Sequence, residues 1–160
     1  MMLRLIAILM VCSFATASAG QTNINLGGIR ADSSAPVEIA ADNLSVDQAT
    51  GSALFEGNVA IGQGDLRLSA ARVRVVYDDA TGDIAQLKAS GGVTFVTATE
   101  AAEAASADYN LKSGQLTLSG NVLLTQGASA LSADRMSVNL ATGSAQMSGR
   151  VRTVFQQGGN

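Results

Sequence analysis

Histidine is absent from all 160 residues, and the single cysteine, Cys12, lies in an apolar stretch near the start of the chain. Those two facts remove Ser-His-Asp and Cys-His catalysis, and zinc sites built on imidazole or thiolate. Three acids remain close together: Asp78, Asp79 and Asp83. They lack EF-hand spacing, and no glutamate closes the set. They flank Gly82, where aspartate serves a turn by local hydrogen bonding. Arg72 and Arg74 alternate with Val73 and Val75, as Arg150 and Arg152 do around Val151. Such guanidinium pairs suit phosphates; they equally suit a solvated outer face that discourages edge pairing. The glycines are spread singly and form no phosphate-binding loop. No catalytic residue, no metal ligand and no cofactor is expected, and the chain reads as a non-enzyme.

The elements that carry these residues follow from apolar alternation. Val37 and Ile39, Leu44 and Val46, Val59 and Ile61, Leu66 and Leu68, Val93 and Phe95, Leu116 and Leu118, Val122 and Leu124, and Met136, Val138 and Leu140 are each two apart. A period of two marks a strand with one buried face. Gly, Asn, Asp and Ser clusters break the runs and supply the positive φ of tight turns. The chain also repeats. Residues 57–75 and 120–138 share ten of nineteen residues at a shift of 63, among them Gly57/Gly120, Asn58/Asn121 and Gln63/Gln126. The turn glycines Gly51, Gly82, Gly114 and Gly143 recur every 29 to 32 residues. A period in that range means stacked units that bury their apolar faces against their neighbours. Each unit reads as strand, Gly turn, strand, Gly-Asn turn, strand, with a dozen or more short strands in all, each of the usual ~5–6 residues. The segment 98–107 has helix-forming composition, but the repeat frame places a hairpin there, with its turn near residues 99–102.

Residues 1–19 read as a secretory signal peptide. Arg4 is its positive region, residues 5–14 are its apolar core, and Ala17-Ser18-Ala19 fits the small-x-small cleavage rule. Cleavage would remove Cys12 and leave nine basic against thirteen acidic residues. That balance argues against nucleic-acid binding, which needs basic stripes. Residues 20–34 carry no clear periodicity and are expected to be a flexible arm. Residues 35–155 form one β domain, and 156–160 a disordered polar tail. From periodicity alone, the apolar face is either a closed sandwich core or a cleft for apolar ligand.

A family resemblance bears on that choice. Pro36-Val37-Glu38-Ile39-Ala40-Ala41-Asp42, Gly57-Asn58-Val59 with Gln63-Gly64, and Ser69-Ala70-Ala71-Arg72-Val73 resemble the OstA-like domain of the lipopolysaccharide (LPS) transport family. Ser106-Ala107-Asp108-Tyr109, Leu118-Ser119-Gly120-Asn121-Val122 and Leu131-Ser132-Ala133-Asp134-Arg135 extend the match over residues 35–155. Gly91-Gly92-Val93 and Gly149-Arg150-Val151 lack the asparagine, and Arg72 stands for the aspartate of an Ala-Asp pair. The resemblance implies an all-β jellyroll of short antiparallel strands in two twisted sheets, apolar inside and open at both ends. It implies a periplasmic carrier for the acyl chains of lipid A, bridging an inner-membrane LPS export complex and an outer-membrane LPS translocon by head-to-tail self-association. The inward set, Val37, Ile39, Leu44, Val59, Ile61 and Val75 with Phe95, Leu116, Leu118, Val122 and Val138, would then face lipid. The last strand, with Val151, Thr153 and Phe155, would form the oligomer edge. The alternatives are the membrane-anchored relative of the same fold and a secreted scaffold with a closed core.

Export is expected to cleave between Ala19 and Gly20. N-terminal sequencing of the exported protein checks this; a retained Met1 in the membrane fraction points to the anchored relative.

Overall fold

The computed structural model describes residues 23–25, 32 and 34–155. The expected signal peptide, most of the expected arm and the polar tail lie outside these residues. Every described element is a strand: β1 (Asn23–Asn25), β2 (Glu38–Ala40), β3 (Asn43–Asp47), β4 (Ser52–Gln63), β5 (Leu66–Tyr77), β6 (Ile84–Val96), β7 (Glu100–Asn110), β8 (Gln115–Gln126), β9 (Ser129–Asn139), β10 (Ser144–Ser148) and β11 (Arg152–Val154). They form one antiparallel sheet that does not close. The order is β1-β10-β9-β8-β7-β6-β5-β4-β2, with β3 also on β4 and β11 also on β9. Within the segment expected to be a flexible arm, Asn23–Asn25 is therefore paired, Ile24 opposite Ala145.

The central strands differ from the expectation of many short ones. β4 to β9 run 11 to 13 residues each. Each bends in its middle instead of ending there. The pairing register slips between Glu56 and Val59, Ala70 and Arg72, Ser90 and Val93, Glu103 and Ser106, and Ser119 and Val122. These β-bulges lie on one line across the sheet. β2 with β3, and β10 with β11, are each one bent strand cut at the same line. The Gly-Asn pairs, expected to be chain-reversing turns, sit on this corner: Gly57 and Asn58 have φ of 81° and 47°, Gly120 and Asn121 of 84° and 48°. Gly91-Gly92 and Gly149-Arg150 occupy equivalent corners with positive φ throughout. The missing asparagine is thus no departure from the pattern, because the position asks for a left-handed backbone and not for an amide. Two successive positive φ values fit a turn or a bulge, and only the register of the neighbouring strands decides.

The residue facing each corner glycine must be small. A Cβ on Gly57 would lie 2.6 Å from Asp42, on Gly91 2.7 Å from Ala71, on Gly120 2.7 Å from Ala105, and on Gly149 2.5 Å from Asp134. Ala71, and not Arg72, therefore holds the place of the aspartate. The first and last corners are pinned as well as packed. The Asp42 and Asp134 amides donate to the Gly57 and Gly149 carbonyls at 2.9 and 2.8 Å. The Asn58 amide and the Arg150 guanidinium donate to the two carboxylates at 2.8 and 2.9 Å.

True chain reversals occupy the strand ends. Gly51, Gly82, Gly114 and Gly143 lie in the turns before β4, β6, β8 and β10, as the repeat implies. Each of those turns is closed by a side chain that accepts a backbone N–H: Asp47 from Ala49, Asp78 from Ala80, Asn110 from Ser113 and Asn139 from Ala141. Within 98–107, residues 100–107 are strand, as the repeat frame implies, but the turn falls at 97–99. The Glu100 amide closes it on the Thr97 hydroxyl at 3.2 Å.

Folded along its corner, the sheet buries one face against itself. One apolar cluster joins residues from both halves of every long strand, from Val59 and Ile61 to Leu87 and Met147.

Gly91 and Gly92 give a matched pair for the corner. Their φ values are alike, 83° and 85°, yet a Cβ at Gly92 meets nothing within 4 Å. Gly92→Ala should cost about 1–2 kcal/mol for left-handed backbone alone. Gly91→Ala should cost at least about 1 kcal/mol more, because Ala71 must move. Urea denaturation of the two variants measures the difference.

Candidate functional site

The strongest candidate is the inner face of the folded sheet. Val59, Ile61, Val75, Phe95, Leu116, Leu118, Val122 and Val138, all expected to face inward, are 0–3% exposed. Ile39 pairs with Ile61 and therefore lies on the same face, and Val37 and Ile39 are half-buried against the cluster. Glu38 between them is exposed. Leu44 differs from the rest of the set in its exposure. It sits opposite Phe55, which packs on the cluster, so its strand phase is the expected one. It is nevertheless 55% exposed, and Val46 behind it 65%. β3 is the outermost strand of its half, and no described residue covers its apolar side.

The interior is both dry and filled. Val73, Val75, Phe95, Leu118, Leu124, Met136 and Val138 are 0% exposed, so no water-sized space adjoins any of them, inside or out. Packing at interior density leaves no ready-made channel along this stretch. Apolar surface reaches solvent at the two edges instead. Leu44 and Val46 do so on β3, and Val151, Val154 and Phe155 at the other end. There β11 lies on β9, Thr153 opposite Leu131, with its second side unpaired among the described strands. A groove of about 590 Å³ opens beside β2, lined by Pro36, Ile39, Ile61, Gln63 and Arg67 among others. One of about 520 Å³ lies beside β11, lined by Val122, Leu123, Arg150 and Val151 among others.

Periodicity does not single out three polar groups at the strand ends. Glu100 is 2% exposed, with no ion partner among the described residues. Its carboxylate accepts from the Thr97 and Thr99 hydroxyls at 2.7 and 2.6 Å and from the Gln126 amide at 3.0 Å. It ties the β6–β7 hairpin to the end of β8. The Thr97, Thr99, Glu100 cluster in sequence is its one visible signal. Gln63, 3% exposed, donates to the Ala35 carbonyl at 3.2 Å and accepts from the Tyr109 hydroxyl at 3.2 Å. Burial pushes the Tyr109 phenol above its usual pKa, so it stays a donor.

Four of the charged candidates, Asp78, Arg72, Arg74 and Arg150, are engaged within the fold. Asp78 pairs with Lys112, and that bond holds its carboxyl below the ordinary range. No group of three or more acidic or soft ligands able to hold a metal ion occurs among the described residues. Arg72 pairs with Glu56 at 2.7 Å, and Arg74 donates to the Ser52 hydroxyl at 3.2 Å. Arg150 pairs with Asp134, whose carboxyl it holds low. Arg152 stands exposed on β11.

Comparison with known proteins agrees with this geometry. The profile of the family described as "LptA/(LptD N-terminal domain) LPS transport protein" matches residues 38–147. Among solved structures, LptH of Pseudomonas aeruginosa, described as the LptA homologous periplasmic component of the lipopolysaccharide transport device, superposes with a TM-score of 0.72. The likeness covers 79% of this chain and 99% of that one at 16% identity, and so speaks to the fold. No curated protein sequence matches the chain.

Replacing Glu100 by alanine strips three donors of their acceptor, the buried Thr97 hydroxyl and the less buried Thr99 hydroxyl and Gln126 amide. The loss should be about 2–4 kcal/mol, read by urea denaturation, with Glu100→Gln intermediate because it keeps one carbonyl oxygen.

Proposed function

The chain belongs to the LptA/(LptD N-terminal domain) family of LPS transport proteins, and on that premise we propose that it is a periplasmic, non-enzymatic carrier that shields lipid A acyl chains between the halves of its folded sheet. The observation that carries the reading is the single apolar face. It runs as one cluster from β2 to β10, and apolar side chains reach solvent at both ends, through Ile39, Leu44 and Val46 and through Val151 and Phe155. Each methylene moved from water to such a face is worth about 0.8 kcal/mol, so acyl chains need no catalytic group to bind. Energy for directed movement must come from partners. An inner-membrane export complex would meet one end and an outer-membrane translocon the other, consistent with the periplasmic assignment carried by the LptH relative.

Head-to-tail stacking is the second part of the proposal. β2 and β3 at one end, and β11 at the other, present unpaired backbone beside exposed apolar side chains, and such edges template strand addition. The contact joins unlike surfaces and extends into a rod without closing. A permanently closed scaffold has one observation in its favour, the filled interior. Lipid binding separates the two readings.

Ile39→Glu places an unpaired carboxylate on the half-buried rim and should cut LPS binding at least about tenfold, the equivalent of a modest desolvation cost, with the fold intact by circular dichroism. Photo-crosslinks to LPS are expected from positions 37 and 39 and not from Glu38. Unchanged LPS binding by Ile39→Glu would favour the scaffold. Val151 and Phe155 are exposed in the monomer. Changing both to lysine should therefore leave folding untouched while abolishing the rise of mass with concentration in light scattering.

A further inference from the structure

The two halves of the folded sheet meet along a seam opposite the corner. One half ends in the turns after Asp47, Tyr77, Asn110 and Asn139, the other in the turns after Gln63, Val96 and Gln126. Gln63 is the last residue of β4, and Tyr109 the last but one of β7. These strands are not neighbours in the sheet; β5 and β6 lie between them. The Tyr109–Gln63 hydrogen bond therefore does not belong to the ladder. It joins the free end of one half to the free end of the other, across the mouth of the fold.

We propose that the cleft loads through this mouth, by hinging of the two halves about the glycine corner, and that the Tyr109–Gln63 pair is the clasp that holds it shut. The inference rests on the carrier reading above and adds how the filled interior admits its ligand. With side chains such as Phe95, Leu118 and Met136 at 0% exposure, an acyl chain has no space until the halves separate. The corner is where separation is least costly. Every pair of central strands interrupts its ladder there, and Gly91-Gly92 offers two residues in a row that tolerate wide φ changes. The clasp suits repeated opening. A neutral hydrogen bond is modest in net worth when its groups regain water on release. Gln63 also keeps its second bond, to Ala35, on its own side of the mouth.

The test carries Gln63→Cys and Tyr109→Cys on a chain whose Cys12 is replaced by serine. A short bismaleimide ties the two thiols; a monofunctional maleimide on the same variant controls for bulk. Uptake of LPS is followed by displacement of a fluorescent lipid. The tied protein should take up LPS at least about tenfold more slowly than the control, because its open state is excluded. Tyr109→Phe, which keeps the ring and loses the donor, should load up to about fivefold faster than the unaltered protein. A second measurement leaves the clasp intact. Spin labels at the exposed turn positions Asp65 and Ser113, one on each side of the mouth, should move apart when LPS is added. Equal uptake by tied and control proteins, or an unchanged label distance in protein shown to bind LPS, overturns the clasp and leaves the carrier standing. Failure of the unaltered protein to bind LPS overturns both.

Discussion

A strand of twelve residues with one continuous apolar side must find cover for that side along its whole length. In this protein the cover is the strand's own other half. The requirement that every long strand bend at the same level, in step with its neighbours, governs the rest of the structure. A bend in mid-sheet turns the side chain of one strand onto its neighbour and leaves no room there for a second Cβ, so alternate strands carry glycine and the strands between carry alanine or aspartate. Ala71 against Gly91 and Ala105 against Gly120 are packed contacts without a side-chain hydrogen bond, flanked on both sides by sheet. Asp42 with Asn58, and Asp134 with Arg150, add hydrogen bonds where the bent strand is cut in two and no described strand pairs beyond the corner itself. The polar corners thus stand where the ladder is weakest.

The same constraint explains what the sequence disclosed and what it withheld. Alternation depends only on which side of a strand faces apolar surroundings, so Val59, Val75, Phe95 and Leu118 were legible as inward residues without knowledge of the neighbours. Leu44 shares their phase and is nevertheless exposed, because exposure depends on whether another half-strand lies above, and no described one lies above β3. Gly57-Asn58 was legible as a place of positive φ but not as a corner. A reversal and a bulge share those angles, and the distinction lies in residues far away in sequence. Tyr109 and Gln63, 46 positions apart, leave no local pattern at all. Glu100 sits in an alanine-rich run that reads as exposed or helical. Its burial depends on Thr97, Thr99 and Gln126 arriving together from two hairpins.

The fold also decides where the charged side chains go. Acids and guanidinium groups that look available in sequence are committed to turns and to pairs on the outer face, as with Asp78 and Lys112 or Arg72 and Glu56. The inner face is left to aliphatic and a few aromatic side chains, with polar groups confined to the strand ends. A surface of this kind offers apolar area and few hydrogen-bonding groups.

The alternation of glycine and small residues along the corner sets the grain of the molecule. A single added strand would put glycine beside glycine or alanine beside alanine, and break the close fit at the bend. A hairpin inserted whole, one strand of each kind, would continue the line and lengthen the apolar trough by about 10 Å at the usual strand spacing. The barrel-less design is therefore quantised in hairpins. The 63-residue echo between Gly57-Asn58 and Gly120-Asn121, which spans four strands, is the sequence trace of a trough that grows by whole steps.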